Sequence, residues 1–176
     1  FEKDFFQGDE EHEWQVMSQA GEGVGDALLR DMRELRTIPP RPRILALVGK
    51  GHNGGDALIA TQRFLRTIPT ARAVVLPLAE WDDCRPLTRR AWGELKESAE
   101  KRIQVMDPGN NPVTELEQAV EKNEFNVLVD GFLGMQAKLP LRDPLPEILH
   151  WINQCDKIAV RVAVDLPTGV TAEGTE

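Results

Sequence analysis

The sequence predicts an α/β fold: a three-layer α/β/α sandwich built on a mainly parallel sheet. Short runs such as Ile44-Leu45-Ala46-Leu47-Val48 are apolar throughout, the pattern of strands covered on both faces. Between the runs lie segments whose apolar residues recur every three or four positions, the period of helices with one buried face. Strand and helix alternate along the whole chain, which is the order of a βαβ series.

Residues 11–36 open the chain as a helix, with Trp14, Met17, Ala20, Val24, Ala27 and Leu28 at helical spacing. Pro39, Pro40 and Pro42 end it, because proline has no amide hydrogen and blocks the preceding turn. The strand at 44–48 follows, then a helix near 56–66, a strand at 71–78 and a helix near 86–100. The alternation continues with a strand at 103–106, a helix at 113–122, a strand at 125–130, a helix at 145–153 and a strand at 158–165. No repeat or linker interrupts it, so residues 1–176 read as a single domain. The last strand is followed only by a short polar tail, which predicts that the natural polypeptide continues beyond Glu176.

With 176 residues and 41% hydrophobic side chains, one core is enough. A formal net charge of -8 without clustered Lys or Arg argues against nucleic acid as a partner. No apolar stretch reaches the roughly 18 residues of a membrane helix, and no signal-peptide pattern opens the chain; a cytoplasmic protein without a membrane partner is expected. Cys84 and Cys155 stand in no ligand spacing and predict two buried free thiols. Trp14, Trp92 and Trp151 fall on helical faces and are expected to pack, whereas Trp81 lies in a loop, where a pocket wall and a subunit contact are both open.

Ligands of open parallel sheets bind beyond the carboxyl ends of the strands, where loops and helix N-termini converge. After the first strand comes Gly49-Lys50-Gly51-His52-Asn53-Gly54-Gly55-Asp56, whose glycines let backbone approach a ligand closely. Asp130 ends another strand and leads into Gly131-Phe132-Leu133-Gly134; Asp165 ends the fifth and leads into Leu166-Pro167-Thr168-Gly169. A carboxylate at the lip of an apolar strand loses hydration that a ligand, a cation or N–H donors must replace; capping the next helix is its plainer use.

Together these loops resemble the NAD(P)H-hydrate epimerases, the YjeF N-terminal domain family, whose motifs read G-K/P-G-N-N-G-G-D-G, V-D-A-x-x-G-x-G and D-I-P-S-G. Here they stand at 49–57, 129–134 and 165–169, and Met17-Ser18-Gln19-Ala20-Gly21 resembles the family's L-M-E-x-A-G opening helix. The likeness extends over nearly the whole chain. It implies a Rossmann-like fold and a metabolite-repair isomerase that interconverts the R and S epimers of NADHX and NADPHX, the hydrated forms of NADH and NADPH, with no redox step. It also implies a potassium ion held by Asn53, Asp130 and Thr168, where threonine keeps the hydroxyl of the family's serine. An amide oxygen, a carboxylate and a hydroxyl make an all-oxygen shell suited to a hard cation. Asp130 is implied as the catalytic acid-base group. Substrate contacts are implied for His52, Asn53, Gly54, Gly55 and Asp56, for Gly134, Met135, Gln136, Ala137, Lys138, Leu139 and Pro140, and for Asp165. A homodimer and a fused or separate dehydratase domain are partners the resemblance leaves open.

Three positions depart from the family pattern. His52 stands at the first Asn of the glycine motif, Ala57 replaces a glycine, and Pro77-Leu78-Ala79-Glu80-Trp81-Asp82 lacks the lysine the family carries just beyond the second strand. Arg85 and Lys138 are the candidate substitutes, although a guanidinium stays protonated and shuttles protons poorly. The gap keeps a second class of function in view, a nucleotide-binding or scaffold module that performs no chemistry. An NAD-dependent dehydrogenase is the weakest reading, because no acid stands at a strand end about 20 residues after the glycine motif to hold a ribose.

Overall fold

Five strands carry the fold in the computed structural model, which describes residues 9–35, 38–107, 111–122, 124–135 and 137–170. They are β1 Arg43–Val48, β2 Arg72–Pro77, β3 Ile103–Val105, β4 Phe125–Gly131 and β5 Ile158–Ala163. The sheet order is β3-β2-β1-β4-β5, and every pairing is parallel. β1 therefore has a strand on each side: Ile44 pairs with Ala73 and Val127, and Leu47 with Leu76 and Asp130. Its alternate residues serve different layers, Ile44, Ala46 and Val48 one way and Leu45 and Leu47 the other, which is why its sequence is apolar at every position.

The helices are α1 Glu10–Leu35, α2 His52–Thr67, α3 Pro86–Ala99, α4 Pro112–Lys122 and α5 Leu145–Gln154. One face of the sheet is covered by α1, α2 and α3, whose Met17, Leu28, Leu58, Phe64, Leu87 and Leu95 join a core with Ile44, Val75 and Val129. The other is covered by α4 and α5, through Leu116, Ile148 and Ile152 against Leu45, Leu47 and Leu128. Burying a Leu or Phe side chain fully is worth about 1.5–3 kcal/mol, so each of these contacts is a sizeable part of a domain's net stability. The three predicted layers are present.

Some local expectations are corrected. α2 begins at His52 rather than near residue 56, so Asn53, Gly54 and Gly55 lie in its first turn and not in a loop. Glycine's poor helix propensity hid that turn, which tertiary packing overrides. On α1, Ala20 is exposed, and Gly21 and Gly25 are buried instead. A Cβ on Gly21 would come within 2.6 Å of Ile59 Cβ, and one on Gly25 within 2.8 Å of Arg63 Cβ, so α1 and α2 approach through side chains that are not there. Trp14 is buried, while Trp92 and Trp151 are half-buried and pack against the two cores. Trp81 stacks on Trp92 with ring centroids 4.3 Å apart, a helix-packing role that the loop position concealed. Both thiols are free, but only Cys84 is buried and Cys155 is half-buried; burial pushes the Cys84 thiol up. Among the described residues, no helix is long and apolar enough to cross a membrane.

Candidate functional site

Because β1, β4 and β5 are parallel neighbours, their carboxyl ends deliver the three glycine- and aspartate-bearing loops to one edge. Two backbone bonds extend the ladder past the strand ends, from Gly49 N–H to Gly131 O and from Val164 N–H to Asp130 O, each at 3.0 Å. Beyond them the chain diverges, and Asp165 lies past the end of β5.

Asp130, next to last in β4, is only 8% exposed. An unpaired carboxylate at that depth would cost several kcal/mol, and hydrogen bonds to it are among the stronger ones in proteins. Three donors meet it here: Thr168 N–H at 2.8 Å, Thr168 Oγ1 at 2.7 Å and Phe132 N–H at 3.2 Å. Thr168 Oγ1 also accepts the Leu133 N–H at 3.2 Å, and Asn53 Nδ2 donates to Leu133 O at 3.1 Å. The structure thus brings Asn53 and Thr168 onto Leu133, one at its carbonyl and the other at its N–H, and Thr168 in turn onto Asp130. Gly131 permits the approach, since a Cβ there would lie 2.5 Å from both Ala57 Cβ and Asn53 O. Asp165 Oδ2 accepts the Met135 N–H at 2.9 Å, and a Cβ on Gly134 would crowd that same oxygen at 2.7 Å.

In front of these loops opens a cavity of about 420 Å³. The turn after β1 lends it Lys50, Gly51, His52 and Asn53; the loop after β4 lends Phe132, Leu133, Gly134, Met135 and Ala137; Asp165 adds a carboxylate. Leu78, just past β2, and Arg85, just before α3, complete the wall. Gly51 caps α2 without a side-chain bond, which leaves the helix's partial positive charge at this wall. The turn is braced from two sides. His52 Nε2 lies 3.2 Å from Glu13 Oε1 on α1, and on the other side Arg85 N–H donates to Lys50 O at 2.9 Å and Thr88 Oγ1 to Gly51 O at 2.8 Å.

Other residues singled out by the sequence sit elsewhere. Gly54 is buried against the backbone of Gly49, and a Cβ on Gly55 would meet Met17 at 2.8 Å, so both face protein rather than the cavity. Asp56 is half-buried within α2. Lys138, Leu139 and Pro140 are exposed and outside the cavity wall, and Gln136 lies outside the described residues. Asp130 and Thr168 line a second cavity, of about 490 Å³, together with Leu128 and Ile152. The Leu133 peptide links that pair to the first cavity. Lys50, Phe132 and Leu133, which stand inside the motifs at 49–57 and 129–134 but outside the expected contacts, and Leu78, which stands in no motif, also belong to the wall; their position next to strand ends is the available signal.

Among the described residues, no cluster of three or more His, Cys, Asp or Glu side chains could hold a metal ion. Asn53, Asp130 and Thr168 supply one carboxylate with neutral oxygens, and the carboxylate accepts three hydrogen bonds of the roughly four its lone pairs allow. A single charge in an oxygen set fits a hard monovalent cation better than a divalent one, which gathers several carboxylates.

The family model of the YjeF-related protein N-terminus matches residues 13–176. The NAD(P)H-hydrate epimerase of Rhodopirellula baltica (strain DSM 10527 / NCIMB 13988 / SH1) is 26% identical over 164 residues, or 92% of this chain and 58% of that protein's length. The crystal structure of yeast ynu0, YNL200c, shares the fold with a TM-score of 0.70 at 23% identity, over 89% of this chain and 61% of that one. The match runs through all three loops of the edge, and the chain therefore belongs to the family of the YjeF-related protein N-terminus.

Proposed function

We propose that this domain acts on NADHX and NADPHX and interconverts their R and S epimers. The observation that carries the reading is the chain of hydrogen bonds from Asn53 through Leu133 and Thr168 to Asp130, beside a cavity that the Asp165 carboxylate also lines. Membership of the family and the name of the Rhodopirellula baltica relative support it. The cavity volume of about 420 Å³ falls in the range of small-molecule sites, about 300–1,000 Å³.

Inverting the hydrated carbon requires one of its bonds to break and the same bond to re-form on the opposite face. A group that gives up a proton and takes it back serves both halves. Asp130 is proposed as that group, and Asp165, which lines the cavity itself, is the competing carboxylate. A potassium ion at Asn53, Asp130 and Thr168 would supply fixed positive charge where the three loops meet. Leu78 lines the cavity at the place where the resemblance expects a lysine, and this favours a second reading, a nucleotide-binding or scaffold module without turnover.

The deciding experiment supplies one pure NADHX epimer and follows the other by proton NMR. Wild type is expected to equilibrate them, and Asp130→Asn to do so about a hundredfold to ten-thousandfold more slowly at equal folded fraction. Equal rates would move the acid-base assignment to Asp165. Wild type that binds both dinucleotides without interconverting their epimers would establish the binding module instead.

A further inference from the structure

The chain is acidic, with a formal net charge of -8, yet the cavity wall carries two permanent cations, Lys50 and Arg85, against one carboxylate, Asp165. A locally positive cleft on a negative body concentrates anions, since low-dielectric walls focus the field. The α2 N-terminus adds to the same sign. Neither cation is among the residues assigned above to substrate or potassium.

Arg85 is held in place by its own segment. It is the N-cap of α3, with a proline next to it inside the helix. Its N–H donates to Lys50 O at 2.9 Å, and Thr88, one turn on and fully buried, donates to Gly51 O at 2.8 Å. The segment before it is clamped by the stacking of Trp81 on Trp92. The glycine turn and the start of α3 are therefore bonded to each other where they bring both cations to the cavity wall. Among the described residues, the Arg85 guanidinium has no hydrogen-bond or ion-pair partner. Lys50 Nζ lies 3.7 Å from Asp83 Oδ2, but both side chains are more than half exposed, and such a pair is worth little.

A guanidinium matches phosphate oxygens with a fork of N–H donors, and an ammonium adds a point charge. The same cavity offers the half-buried Leu78 and Leu133 to an aromatic ring. We infer that Lys50 and Arg85 bind the phosphate groups of the ligand, with Arg85 as the residue that selects phosphorylated dinucleotides over nucleosides. This rests on the nucleotide reading of the cavity given above and names the part of the ligand each wall takes.

The experiment titrates ADP-ribose and, as a ligand without phosphates, adenosine into the whole chain at low and high ionic strength. Wild type is expected to prefer ADP-ribose. Arg85→Gln should weaken ADP-ribose about tenfold, a charge-assisted hydrogen bond discounted for exposure, and leave adenosine unchanged. Arg85→Lys should recover part of the loss, Lys50→Gln should show a smaller one, and high ionic strength should shrink every difference. Failure of wild type to bind ADP-ribose overturns the inference, as does ADP-ribose affinity unmoved by either substitution at an unchanged thermal midpoint. The epimer assay on the same proteins separates the two levels. A wild type that epimerises with the same KM in Arg85→Gln keeps the reaction and removes the phosphate role. An inactive wild type whose ADP-ribose affinity still depends on Arg85 keeps the phosphate role and removes the reaction.

Discussion

Thr168 joins two loops through one hydroxyl, donating to Asp130 Oδ1 at 2.7 Å and accepting from Leu133 N–H at 3.2 Å, in a place only 8% exposed. Valine has the same shape without the oxygen. Thr168→Val would leave a carboxylate short of a donor and a peptide N–H short of an acceptor, and such orphaned groups cost about 1–3 kcal/mol. Urea unfolding should show the loss as a lower midpoint at unchanged slope, and Thr168→Ser should restore most of it. A valine variant as stable as wild type would mean that water replaces the hydroxyl and that the bridge is not structural. That the loops carrying Asn53, Asp130, Thr168 and Asp165 meet at one edge was legible in the sequence, because each follows an apolar strand of a parallel series. Which loop side chains face the cavity was not, because contacts far apart along the chain decide it: Thr88 and Gly51, bonded across 37 positions, are what bring Arg85 to the wall.

At the scale of elements, the three central strands were readable for a simple reason. A strand buried on both faces has no polar position to blur its pattern, as β1 shows with Ile44 to Val48 all at most 1% exposed. Helix contacts made by glycine leave no hydrophobic signal, so the apolar spacing of α1 includes the exposed Ala20 and passes over Gly21 and Gly25, which meet α2. The same helix carries an internal control. Nothing lies within 4 Å of a Cβ on Gly23, whereas one on Gly25 would meet Arg63 Cβ at 2.8 Å and Ala60 O at 3.1 Å. Gly23→Ala should therefore raise stability by up to about 1 kcal/mol, through helix propensity alone. Gly25→Ala should lower it by about 1–3 kcal/mol, because the two helices must separate. Thermal midpoints of opposite sign are the expected result; a rise in both would show that α1 sits further from α2 than described.

For the molecule as a whole, a cation bound only by the folded state shifts the folding equilibrium by mass action. With potassium at about a hundred times its dissociation constant the gain is about 2.7 kcal/mol, so exchanging potassium for tetramethylammonium at equal ionic strength should lower the thermal midpoint. Equal midpoints in the two buffers would count against a cation at Asn53, Asp130 and Thr168. The sheet order has its own bearing on how such a site comes into being. With β1 between β2 and β4, the bonds that join its two halves span long stretches of chain, 83 residues from Arg43 to Asn126 and 80 from Asn53 to Leu133. Closing loops of that length costs entropy before any contact rewards it, and folds rich in distant pairings form slowly. A chain synthesised only as far as α4 contains the residues of the glycine turn and of α3, yet lacks Phe132, Leu133, Gly134, Met135 and Ala137, the wall that follows β4. The cavity is thus complete only once the central pairing is, so a ligand that fits it would have no finished site on a half-made chain.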